Sequence, residues 1–136
     1  LAKIYQAQGH EIVGLSRRNG FNIRSIPKLV EQIKSCDMFI NNAQVGFAQT
    51  ELLFAVYQAW QGVENKQIIN ISTLMTSAPI SSLPGLEMTE YYVQKVALEE
   101  AIKQAQYEAS NLMDKLISTN DIPILIICYN NYKYVN

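Results

Sequence analysis

The chain has 136 residues, about half of them apolar and 17% charged, with a net charge of −1, the make-up of one globular domain of the soluble type. That charge argues against nucleic acid or anionic membrane as a partner, and the arginine pair Arg17–Arg18 is too little for a phosphate-tracking groove. No apolar run approaches the roughly 20 residues of a membrane span, and the opening LAKIYQAQGH lacks the apolar core of a signal peptide.

In chain order, residues 1–8 read as the last turns of a helix, stopped by Gly9. EIVGLS at 11–16 is a short continuous apolar run suited to a buried strand. RRNG then makes a turn, and FNI is expected as a very short second strand. Ser25 and Pro27 open a helix with Ile26, Leu29, Val30 and Ile33 on one face. DMFIN at 37–41 predicts another strand, NAQVGFAQT a loop, and 50–61 a helix carrying Leu52, Leu53, Val56, Ala59 and Trp60. QIINIS at 67–72 is a strand, followed by a long Ser- and Pro-rich loop at 74–88. Thr89 and Glu90 lead into the longest helix, ending near residue 118. PILIIC at 123–128 is the last strand, and the tail is polar and rich in tyrosine.

Short apolar strands alternating with helices predict an α/β domain spanning residues 1–136. The expected form is a doubly wound parallel sheet, with helices on both faces in three layers. Cys36 and Cys128, with His10 as the one histidine, make no metal-ligand set and read as reduced thiols, consistent with a cytoplasmic setting.

Three segments then stand in order: INNAQ ending one strand, INIST ending the next, and EYYVQK opening the long helix. Ligands of open α/β sheets bind beyond the carboxyl ends of the strands, where all three would lie. In a helix, Tyr91 and Lys95 share one face, a turn apart. The same spacing recurs at Tyr129 and Lys133, but with no helix behind it, so order and placement single out the first pair.

This ordered set resembles the short-chain dehydrogenases/reductases, from GHEIVGLSRR to PILIIC. Asn41-Asn42-Ala43 is similar to that family's Asn-Asn-Ala-Gly, Asn70-Ile71-Ser72-Thr73 to its Asn-Ile-Ser-Ser, and Tyr91–Lys95 to its Tyr-x-x-x-Lys. The resemblance implies hydride exchange between a nicotinamide cofactor and a small carbonyl or alcohol substrate. A phenol serves as acid–base catalyst near neutral pH only where its phenolate is stabilised, and a nearby ammonium does that by charge proximity. By resemblance, Tyr91 is the acid–base residue, Lys95 assists it and binds the nicotinamide ribose, and Thr73, or the adjacent Ser72, holds the substrate oxygen. Arg17 falls where a basic residue meets a 2′-phosphate, and no Asp or Glu stands at that strand end to hold a ribose diol. The implied cofactor is therefore NADP, with NAD the alternative. Asn22 and Ile23 match the positions beside the adenine, and Asn41 and Ala43 would line the cofactor cleft. Pairing into a homodimer or homotetramer through the long helix and the helix at 50–61 is implied too.

The departures define an alternative: a catalytically degenerate relative that binds dinucleotide as a sensor or scaffold. Gln44 replaces the motif glycine, and Gln49 falls near the family's fourth catalytic position where an Asn is usual. Tyr129-Asn130 replaces a Pro-Gly pair. The family's first strand and glycine-rich turn have no counterpart here, because the chain opens inside the helix that follows them. The expectation is a fragment of a longer native chain, with roughly 15 residues ahead of Leu1 supplying the central strand, and with the family's next strand and substrate lid following the C-terminal end.

Overall fold

A computed structural model describes residues 1–115 and 125–130, with side chains described through residue 111. Seven elements follow in order: α1 (Ala2–Ala7), α2 (Ile26–Ile33), β1 (Met38–Asn41), α3 (Ala48–Trp60), β2 (Gln67–Ser72), α4 (Gly85–Lys115) and β3 (Leu125–Asn130). The three strands form one parallel sheet in the order β1-β2-β3. Asn41 pairs with Asn70, and Asn70 with Cys128, so the strands end nearly level. Parallel strands need crossovers, and α3 and α4 supply them.

Period-three-to-four spacing explains the core. On α3, Leu52, Leu53, Val56, Tyr57 and Trp60 are buried; on α4, Leu98, Ala101, Ile102 and Ala105 meet them. Ala101 and Ala105 are small enough to let the two helices approach closely. Leu29 and Ile33 of α2 and Ile68 of β2 complete the cluster. Each fully buried aliphatic side chain contributes on the order of 1.5–3 kcal/mol. On β2, Ile69 and Ile71 are buried on the face opposite Ile68, so this strand is covered on both sides.

Most sequence expectations stand within a residue or two: α1 stops at Gln8 and Gly9, the latter at φ 89°, the 17–19 turn closes on Gly20 at φ 81°, and β2 spans residues 67–72. Two strands do not form. Residues 11–15 have no regular structure and FNI runs into a turn. Among the described residues no sheet edge takes the backbone groups of 11–15, and an apolar run becomes a strand only where a neighbouring edge does so. Ile12 and Val13 are left exposed, while Ile23 of FNI still packs into the core. Among the described residues the sheet therefore has three strands, and α/β is the class observed. The 74–88 segment holds two short 3₁₀ turns, Leu74–Ser77 and Ile80–Ser82, and α4 starts at Gly85, four residues earlier than Thr89. Leu86, Glu87 and Met88 favour helix, and Glu87 in the first turn suits the positive end of its dipole. The expected helix end near 118 and strand start at 123 lie outside the described residues, as does Lys133.

Candidate active site

The site begins with two asparagines. Asn41 closes β1 and Asn70 lies beside it on β2, both buried. The Asn41 amide donates to Asn70 Oδ1 at 2.9 Å and to the Gln49 carbonyl at 2.9 Å, tying the strand ends to the first turn of α3. Gln49 answers through its side chain. Its Nε2 donates to the Asn41 carbonyl at 2.7 Å and to the Ile71 carbonyl at 3.1 Å. A strand end loses its ladder partners, and these amides satisfy what is left.

Lys95 reaches this point from α4. It is 3% exposed, and its Nζ donates to Gln49 Oε1 at 2.8 Å and to the Ile71 carbonyl at 2.9 Å. Burying an ammonium is tolerated only where acceptors replace water. The Tyr91 ring, one turn earlier and half-buried, has its centre 5.7 Å from that Nζ. One turn later, Glu99 Oε1 accepts from the Ser72 hydroxyl and lies 2.9 Å from Thr76 Oγ1. Tyr91, Lys95 and Glu99 thus recur every fourth residue on α4, and the last two bind the β2 end at residues 71–72.

The two hydroxyl candidates differ. Ser72 is engaged with Glu99. Thr73 caps the 3₁₀ turn that follows, accepting from the Met75 N–H at a long 3.4 Å, and its hydroxyl donates to no described acceptor.

Arg17, Asn22, Ile23, Asn41 and Ala43, far apart in sequence, line one cleft of about 480 Å³. Its floor is apolar, including Leu29, Ile33 and Phe39. Arg17 and Asn22 are exposed beside it, and the Asn22 carboxamide also caps the next turn, accepting from the Arg24 N–H at 3.0 Å. Tyr91 and Lys95 do not line this cleft. They join it through Asn41, which lines the cleft and binds Gln49, which in turn holds Lys95. Gln44, the residue in the motif glycine's place, lines the cleft as well; its side chain donates to Gln94 Oε1 on α4, next to Lys95. Among the described residues no three of His, Cys, Asp and Glu gather as a metal site, and no helix is long and apolar enough to cross a membrane.

Sequence reasoning missed two parts of this arrangement. Glu99, a carboxylate one turn past Lys95 on the face that meets the Ser72–Thr73 strand end, becomes legible only once that strand end is placed. Gln49 carried no signal as a lysine partner, because a neutral amide announces no charge to pair.

No family model matches the sequence, and no curated protein matches it. Among solved structures, the chain is similar to a short-chain dehydrogenase from Burkholderia cenocepacia J2315 in complex with NADP, with a TM-score of 0.56 and 15% identity. The likeness covers 79% of this chain and 48% of that one, so this chain spans about half of its length. At that identity the likeness is one of fold.

Proposed function

We propose that this chain is the dinucleotide-binding part of an NADP-dependent oxidoreductase that reduces a carbonyl or oxidises an alcohol, on a doubly wound three-layer sheet. One observation carries the reading: a buried ammonium, Lys95, held against the end of β2 with the Tyr91 ring beside it. The NADP bound to the similar structure is consistent with it.

The cleft's donor set fits the adenosine end of such a cofactor. Arg17 supplies a guanidinium for a phosphate, Asn22 an amide, and Ile23 and Ala43 an apolar seat. Asn41 Oδ1 is buried with no hydrogen-bond partner among the described residues. When bound, the cofactor supplies or accepts the hydride. The chain's own residues handle the proton and the orientation. Tyr91 gives its phenolic proton to the substrate oxygen in the reductive direction and takes it back in the other. Lys95 stabilises the phenolate that this leaves. Thr73, with Ser72 committed to Glu99, donates to the substrate oxygen as charge builds on it.

A second reading, a dinucleotide-binding sensor or scaffold without turnover, is favoured by one observation. The Gln44 side chain bridges to Gln94, bringing bulk from β1's end to α4 beside Lys95. Titration of the full chain with NADPH, followed by fluorescence, and a turnover assay over a panel of carbonyls separate the two. Binding with turnover supports the enzyme, binding without turnover the scaffold, and no binding sinks both. Self-association through α3 and α4 belongs to the same proposal. Phe54, Val93 and Tyr107 are exposed there, and sedimentation should show a dimer or tetramer.

A further inference from the structure

The Gln49 carboxamide makes three hydrogen bonds, to three different elements. Both Nε2 hydrogens go to strand-end carbonyls, Asn41 at 2.7 Å and Ile71 at 3.1 Å, and Oε1 accepts from the Lys95 ammonium at 2.8 Å. The residue is 2% exposed, so water does not substitute for any of these. Few side chains can stand there. Two carbonyls call for a donor and an ammonium calls for an acceptor; a carboxylate would oppose the carbonyls, a cation would oppose Lys95, and Asn is one methylene shorter.

We infer that Gln49 is a positioning residue that fixes the Lys95 ammonium beside Tyr91 by a direct amide-to-ammonium bond. The inference rests on the oxidoreductase reading for its kinetic consequence, but not for the bond itself. Lys95 has four rotatable side-chain bonds, so its Nζ is placed by the groups that accept from it. The Oε1 bond is one such anchor beside the Ile71 carbonyl, and through Nε2 the same amide ties that anchor to β1 and β2. A ligand group placed in the cleft against Asn41 is thereby held in fixed register with the Tyr91–Lys95 pair.

Two variants separate positioning from plain structural support. Gln49→Glu keeps the acceptor and the reach to Nζ but loses the donors to the strand ends. Gln49→Met keeps the volume and loses both. Positioning predicts that Q49M lowers kcat about 100-fold, as a misplacement of about 1 Å does, with KM little changed. It also predicts that Q49E retains at least about tenfold more activity than Q49M despite a lower Tm. A merely structural Gln49 predicts the reverse order, activity following Tm with Q49M above Q49E, and that result overturns the inference. The bond is read independently in ¹⁵N-labelled full-length chain by the Lys95 ammonium resonance. It should be protected from exchange in the wild type and in Q49E and clearly less protected in Q49M, where the Ile71 carbonyl still accepts from it. Its absence in the wild type, or equal protection in Q49M, overturns the inference whatever the activity. If Q49M does not fold, Q49N, too short to reach Nζ, takes its place. A wild-type chain without turnover sinks the oxidoreductase reading, while the ammonium signal still decides the role of Gln49.

Discussion

Around Lys95 the polar groups are tightly interlocked, whereas along the cleft they stand largely open. Asn41, Gln49, Lys95, Ser72 and Glu99 bind one another or the strand-end carbonyls through bonds that join β1, β2, α3 and α4. Across the cleft, Arg17 and Asn22 are exposed over an apolar floor, on a segment without regular structure apart from one 3₁₀ turn. Under the proposed function the contrast fits a division of labour. Groups that must act in one geometry are fixed by packing and satisfied amides. Groups that recognise a charged ligand stay solvated until it arrives, because an unpaired charge is costly to bury in advance.

Substitutions in the interlocked half should therefore act on turnover, and substitutions along the cleft on binding. The largest expected effect is Tyr91→Phe, which removes the hydroxyl proposed to transfer the proton. Turnover should fall about 10³-fold while NADPH titrates as in the wild type. A variant that keeps its rate removes Tyr91 from the chemistry. Next comes the strand-end pair. Thr73→Ala should cost about 10²-fold in kcat, the usual effect of losing one donor to a developing oxyanion. Ser72→Ala should mainly cost stability, about 1–3 kcal/mol for a severed bond to a carboxylate, read by denaturant melts. Should Ser72→Ala be the slower enzyme, the two roles are exchanged.

Across the cleft, Arg17→Ala should weaken NADPH binding about tenfold, the worth of one charge-assisted contact, with NADH binding and kcat at saturation unchanged. Equal losses for both cofactors would place Arg17 away from the 2′-phosphate.

What the sequence revealed divides along related lines. QIINIS was legible because its isoleucines fall on both faces of a strand, and β2 lies inside the sheet with both faces covered. EIVGLS has the same pattern and no strand, since composition records a wish for burial and not the presence of a neighbouring edge. The five positions that share the cleft were singled out through resemblance, and they gather because successive strand ends of a parallel sheet lie along one edge. Glu99 was not found, and Gln49 was placed near the family's fourth catalytic position but not as the partner of Lys95. A Glu-Glu pair in a long helix reads as a solvated face until the strand beneath it is placed, and Gln49 meets its lysine 46 residues away.

The smallest predicted effect tests the packed half without chemistry. Tyr57 lies two turns along α3 from Gln49 and is buried against the core. Burial pushes its phenol above the ordinary value of 10.0 and Glu108 adds to the rise, against a smaller lowering from the nearby Gln61 side chain. The unfolded chain, with the ordinary value, then gives up this proton at lower pH than the folded one. The Tyr57 contribution to stability is accordingly complete below about pH 10 and is lost as pH rises through the higher folded value. Denaturant melts from pH 8 to 11 should show stability declining at the alkaline end, with a shallower decline in Tyr57→Phe. The other tyrosines titrate in both proteins, so the difference between the two slopes isolates this one. Identical slopes would mean that the α3 face beside Gln49 is wetter than its packing implies, and the contrast between a closed half and an open half would weaken accordingly.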